Sequence, residues 1–205
     1  IALKINKSHS IDYDIDKFIE IVCMCHDFGK ATTYFQDYLD GKYNGREKQH
    51  GIISALFTYY ILPDKYKHLG FLIVKKHHGN IDNGNDECKK DEVMWKFNKQ
   101  IEDMKRNNID KLNIIYKDYL GDRTIEDFFE WISDDDNLKS IKREFIQNKY
   151  TVEELFLCEY VYSLLLTADK SQLILKEAFI PSKPYPSDFI KSYKDNLVKD
   201  TLDKN

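Results

Sequence analysis

Apolar residues along this chain recur three and four positions apart, and no stretch alternates apolar with polar residues for long enough to make a strand. The spacing predicts an all-α fold. Residues 16–30 carry Phe18, Ile19, Val22, Cys23 and Cys25 at helical intervals, with Gly29 and Lys30 suited to a helix end. A second segment, 31–39, repeats the pattern with Tyr34, Phe35, Tyr38 and Leu39, before the turn signals Asp40-Gly41 and Asn44-Gly45. His50 opens or precedes a helix that runs through Tyr60 and stops ahead of Pro63. Further helices are expected at 68–78, 92–107, 109–120, 124–132, 138–148 and 151–169, with polar loops at 82–91 and 133–137. The last of these helices is apolar over most of its circumference from 152 to 169, the mark of a central buried helix.

A chain of 205 residues is long enough to bury one core, and one domain over 1–180 is expected. Three prolines within 181–186 exclude a helix there, so 181–205 reads as an extended connector followed by a helix that Asp188 caps. No apolar run is long enough to span a bilayer and no signal-peptide pattern opens the chain, so a cytoplasmic protein without membrane contact is expected. The four cysteines, Cys23, Cys25, Cys88 and Cys158, match neither a zinc-finger spacing nor a disulfide framework and read as small hydrophobes or incidental residues. A net charge of −4 does not advertise a nucleic-acid binder. The balance reverses between residues 26 and 79, where eight basic residues face five acidic ones.

Four of the six histidines fall in one ordered set. His26 and Asp27 end the apolar run 18–25 and are followed by Phe28, Gly29 and Lys30; His50 comes next, then the pair His77-His78, then Asp169 after Leu164-Leu-Leu-Thr-Ala168. An imidazole beside a carboxylate offers two metal-ligating atoms to one point. Each residue also has a plainer role. A lone His50 at a helix start would be a cap, and neighbours such as His77 and His78 point about 100° apart on a helix. Asp169 would pair with Lys170 on a surface, although an unpaired carboxylate entering an apolar surround is costly. Lys30 would either complement a helix C-terminus or reach a phosphate. Tyr34, Phe35 and Tyr38 read as core aromatics rather than stacking platforms for bases. Thr33, Gln36, Gln49 and Ser54 read as capping or packing residues, and His68 as a surface residue.

The order His-Asp, His, His-His, Asp resembles the HD superfamily of metal-dependent phosphohydrolases, and more closely the HD nuclease domain of CRISPR type I interference, which is fused to or partnered with a DNA helicase. The strings that carry the likeness are His26-Asp-Phe-Gly-Lys-Ala-Thr-Thr-Tyr-Phe-Gln-Asp-Tyr-Leu39, Gln49-His-Gly-Ile-Ile-Ser-Ala-Leu56, Lys76-His-His-Gly79 and Leu166-Thr-Ala-Asp-Lys170. The resemblance implies an HD-domain helical bundle and two divalent metal ions. His26, Asp27 and Asp169 would hold one, and Asp27, His50, His77 and His78 the other, with Asp27 as bridge and catalytic residue and Lys30 beside it. Histidine-rich ligand sets suit Fe, Mn, Co, Ni or Zn, with Mg as a further candidate. The implied activity is hydrolysis of single-stranded DNA in antiviral defence. The implied partners are a CRISPR helicase domain or subunit and the RNA-guided surveillance complex.

Two other functions fit the same residues: an HD phosphohydrolase acting on nucleotides or small phosphoesters, and a non-catalytic HD interaction module. No Gly-Lys-Ser/Thr phosphate-binding motif occurs, so a stand-alone subunit or an excised domain is expected, with 181–205 leading toward a helicase or partner. The family places a further histidine upstream of the His-Asp pair. His9 is the candidate here, 17 residues before His26, and this short separation favours a ligand that precedes Ile1. Substitution by His9 and an incomplete first site are the alternatives.

Overall fold

A computed structural model of the chain describes residues 1–8, 15–79 and 97–174. The described residues are helical and contain no strand, as the apolar spacing predicts. In chain order the α-helices are α1 (Ala2–Ser8), α2 (Asp16–Cys25), α3 (Thr33–Leu39), α4 (Gly51–Ile61), α5 (Lys67–Lys76), α6 (Phe97–Asn107), α7 (Ile109–Leu120), α8 (Ile125–Ser133), α9 (Asp135–Gln147) and α10 (Val152–Ile174). Short 3-10 turns occupy Phe28–Ala31 and Arg46–Lys48.

α4 and α5 pack on each other most extensively, and α2 and α10 lie against α5. The core beneath them is aromatic. Phe28 stacks on Phe57 with ring centroids 4.0 Å apart and meets Phe128 edge-on at 5.6 Å. Burying one such ring stabilises the fold by about 1.5–3 kcal/mol. Phe28 directly follows Asp27, so a ring buried in the core anchors the polar pair beside it.

Helix ends follow local chemistry. Thr124 and Asp127 form a reciprocal capping box at the start of α8. Asp134 accepts the Asp136 N–H, which starts α9 at Asp135, three residues earlier than the apolar pattern suggests. Gly121 closes α7 at a φ of 64°, a conformation that favours glycine.

Several expectations need correction. α2 stops at Cys25 rather than running to Lys30, because the chain tightens into the 3-10 turn that brings Gly29 against α4. α5 ends at Lys76, leaving His77 and His78 beyond it. α10 continues past 169 to Ile174 and is not a centrally buried helix: Val152, Leu155 and Phe156 are 64%, 51% and 73% exposed. α3 buries none of its residues, so Tyr34, Phe35 and Tyr38 are not core aromatics. His68 is not on the surface; its ring lies edge-on to Phe145 at 4.9 Å, with Nε2 3.3 Å from Glu144. Residues 2–8, with no expected element, form α1, whose Asn6 side chain bridges Asp16 of α2 and Tyr160 of α10.

Cys25 and Cys158 are buried and Cys23 is half-buried, all as free thiols, and burial pushes the Cys23 thiol up to about 11. Their expected roles as small hydrophobes hold. His9, Cys88, the 82–91 loop, residues 92–96 and the 181–205 connector and helix lie outside the described residues. No helix among the described residues is long and apolar enough to cross a membrane.

Candidate metal centre

Three helix ends and the body of a fourth helix converge on one point. α2 delivers His26 at its C-cap with Asp27 next, α4 is preceded by His50, α5 is followed by His77 and His78, and α10 contributes Asp169. All six side chains that the sequence analysis selects come together in two groups that share Asp27. One group is Asp27, His50, His77 and His78; the other is His26, Asp27 and Asp169. Within each, the potential ligand atoms lie within 4.8 Å of one another.

The two carboxylate oxygens of Asp27 face different ways. Oδ1 is 3.5 Å from His50 Nε2 and 3.6 Å from His77 Nε2. Oδ2 is 3.2 Å from His26 Nε2 and 2.8 Å from Lys30 Nζ. Asp169 Oδ1 approaches the same His26 Nε2 at 3.9 Å. His50 Nε2 is 3.4 Å from His77 Nε2 and 2.9 Å from His78 Nε2.

Two of the histidines are oriented by the backbone. His26 Nδ1 lies 2.7 Å from the Cys23 carbonyl and His77 Nδ1 2.5 Å from the Val74 carbonyl. A carbonyl only accepts, so each Nδ1 carries a proton and each Nε2 is the atom turned to the centre. His26 Nε2 and Asp27 Oδ1 are buried without a hydrogen-bond partner. Buried polar atoms left without partners are costly. This pair of orphans, at the meeting point of imidazoles and carboxylates, fits a divalent cation.

The electrostatics favour ligation as well. Burial, together with the neighbouring His77 and His78, lowers His50 to about 3, so its ring is neutral at neutral pH. Burial and His77 also lower His78. Burial alone would raise Asp27, but the neighbouring His26, His77 and Lys30 override it and hold the carboxyl well below the usual carboxylate range. Burial opposes a charge on His26 too, yet the Asp27 carboxylate 3.2 Å from Nε2 leaves its pKa raised, so a cation binding there would displace a proton.

The supporting residues have specific tasks. The Gly29 N–H donates to Ser54 Oγ at 2.9 Å, tying the 3-10 turn to α4. A Cβ on Gly29 would meet Ile53 Cγ2 at 2.5 Å and both Cβ and O of His50 at 2.8 Å, so the turn approaches α4 closely enough to need glycine. Tyr162 of α10 donates its hydroxyl to the Gly79 carbonyl, with the Lys76 carbonyl at 3.3 Å, and so clasps the His77-His78 turn. This clasp has no local signature in the sequence. Thr33 bonds Asp103, and Gln36 bonds the Lys30 carbonyl, so both serve packing. Gln49 lends its backbone carbonyl to Gln100.

Comparison with known proteins finds matching stretches in CRISPR-associated HD proteins. The chain is 31% identical over 127 residues to a CRISPR-associated endonuclease Cas3-HD of Methanocaldococcus jannaschii, covering 58% of this chain and 45% of that protein. It is 34% identical over 73 residues to the Cas3-HD endonuclease of Pyrococcus furiosus, covering 33% of this chain and 31% of the other. It is 38% identical over 69 residues to a CRISPR-associated nuclease/helicase Cas3 of Haloferax volcanii, covering 30% of this chain and 7% of that protein. The chain thus spans less than half the length of each of these relatives. No protein-family model matches the chain, and no solved structure matches it.

Proposed function

We propose that this chain, a relative of the CRISPR-associated Cas3 HD proteins, is a metal-dependent nuclease that hydrolyses phosphodiester bonds of single-stranded DNA in CRISPR interference. The observation that carries the reading is the division of Asp27, one oxygen toward His50 and His77 and the other toward His26 and Lys30. A carboxylate so placed suits a bridge between two cations. His50, His77 and His78 would complete one set of ligands, and His26 and Asp169 the other. Divalent ions held there would lower the pKa of a water and offset the charge that develops on the phosphate oxygens.

The protein's own groups prepare that site. Lys30 holds its ammonium 2.8 Å from Asp27, where it fixes the carboxylate and adds positive charge toward an incoming phosphate. His26 and His77 aim Nε2 at the centre because their Nδ1 atoms are committed to carbonyls. Asp27, Asp169 and His78 remain partly open to solvent, which suits a polymer passing over the site better than a small molecule enclosed in it. One relative's printed name joins nuclease and helicase, which supports a helicase domain or subunit as partner; within CRISPR interference the RNA-guided surveillance complex would supply the exposed strand.

The test is cleavage of linear single-stranded DNA and of a mononucleotide panel, assayed with Mn, Co, Ni, Fe, Zn and Mg separately. DNA cleavage that disappears in Asp27→Ala is expected. Fast mononucleotide hydrolysis with DNA left intact would instead assign a phosphohydrolase, and no hydrolysis with any metal would leave an interaction module.

A further inference from the structure

Helix α3 carries an aromatic strip that the metal centre does not use. It has no fully buried residue: Tyr34 and Phe35 are half-buried, and Tyr38 stands exposed with no packing role that explains it. Phe35 lies edge-on to the ligand candidate His50, with ring centroids 5.0 Å apart. Tyr38, one helical turn further on, has its ring centroid 6.2 Å from that of Phe35 and is 42% exposed. The two rings therefore lead from His50 outward to solvent.

Cations flank the strip at both ends. Lys30 Nζ is 5.4 Å from the Phe35 ring centroid, and Lys48 Nζ sits 3.8 Å over Tyr38, steadied by Asn44. Arg46 is exposed on the same connecting segment. The acidic groups nearby are mostly engaged: Asp40 pairs with Lys42, Asp27 with Lys30 and Glu47 with Lys99, while Asp37 is exposed. Rings interleaved with ammonium groups, continuous with a site for phosphate chemistry, suit stacked bases joined by phosphates. A protein partner would instead be expected to meet a broader apolar core depleted of charge.

We propose that Phe35 and Tyr38 form a base-stacking track that guides a single strand onto the metal centre, with Lys48 taking a backbone phosphate at its outer end. The proposal rests on the nuclease reading of the site and adds what holds the substrate there. Tyr38 is the main platform because it is the more exposed ring, and Phe35 continues the path inward to His50.

The experiment compares the full chain binding fluorescent oligothymidylate with an abasic strand of equal length and charge, in chelator so that no cleavage occurs. Wild type should prefer the base-bearing strand. Tyr38→Ala should weaken that strand about tenfold while leaving the abasic strand unchanged, because one stacked base contributes about this much. Tyr38→Trp should restore the preference, and Lys48→Met should reduce the salt dependence of binding by about one counterion. Equal wild-type affinity for the two strands would overturn the track, as would an unaltered preference in Tyr38→Ala. A change of oligomeric state in Tyr38→Ala without any change in strand binding would overturn it in favour of a protein interface. Because binding is read without metal, failure of the track is separate from failure of the nuclease reading, which the cleavage assay with Asp27→Ala decides.

Discussion

The hydroxyl oxygen of Ser54 accepts the Gly29 N–H at 2.9 Å, and through this bond α4 grips the turn that presents Asp27. The same approach leaves no room for a side chain on Gly29. Gly29→Ala should destabilise the fold by about 1–3 kcal/mol, the usual range for overpacking, because the backbone oxygen of His50 cannot yield as a flexible side chain would. The variant should also lose metal affinity, since relief of the clash moves His50 away from Asp27. Thermal melts and metal titration of Gly29→Ala check this; unchanged values in both would show that the turn is looser than described.

Asp27→Ala should remove both groups of ligands at once, so metal per chain should fall at both and DNA cleavage should drop to background. The helical circular dichroism should persist, because Phe28 and not Asp27 anchors the turn in the core. Retained cleavage in a preparation free of contaminating nucleases would argue against Asp27 as a shared ligand.

The three histidines of the larger group should not be equivalent. His77 has a side chain 1% exposed with its Nδ1 held by Val74, whereas His78 is exposed. His77→Ala and His50→Ala should each cost more metal affinity than His78→Ala, on the order of tenfold or more. Elemental analysis of the three variants after dialysis measures the order. If His78→Ala lost the most metal, His78 rather than His77 would be the principal ligand.

Glu144 of α9 joins α4 and α5, accepting Tyr59 at 2.6 Å with Lys67 at 3.2 Å and His68 at 3.3 Å. Burial opposes its charge, but the bonds from Tyr59 and Lys67 hold its pKa below the ordinary 4.5. Burial lowers His68 below 6.5. Both folded values lie below the unfolded ones, so the stability each group contributes is complete above its unfolded pKa and is lost as pH falls through the folded one. The melting temperature should therefore decline from pH 6.5 downward, and part of that decline should vanish in His68→Gln and Glu144→Gln. Variant and wild-type profiles that run parallel below pH 6.5 would remove this cluster from the account.

Much of the centre is legible in the sequence because all but Asp169 of its side chains sit at helix ends, where short strings mark them. His26-Asp27 closes one apolar run, His77-His78 follows another, and His50 precedes a third. What escapes is whatever depends on partners distant in the chain. His68 is half-buried against Phe145 and Glu144, which no local pattern near residue 68 announces. The spacing of Tyr34, Phe35 and Tyr38 reports a helix but not how much packs on it, and here Tyr34 and Phe35 are only half-buried and Tyr38 is exposed. The first turns of α10 mislead for the same reason, since apolar residues all round a helix do not state which of them find neighbours. The Tyr162 clasp and the Ser54 bond both cross between elements and leave no trace in spacing.

α2 and α5 end alike: the residue at each C-cap is a histidine whose Nδ1 takes the carbonyl three residues earlier, Cys23 in one case and Val74 in the other. Carbonyls in the last turn of a helix lack the amide four residues on, although that of Val74 also takes the His77 N–H at 3.4 Å, and here they choose which imidazole nitrogen turns to the centre. Stopping the helix and selecting the tautomer are thus a single event. Extending either helix by one turn would satisfy that carbonyl with an amide instead, and would silence a ligand whose identity had not changed.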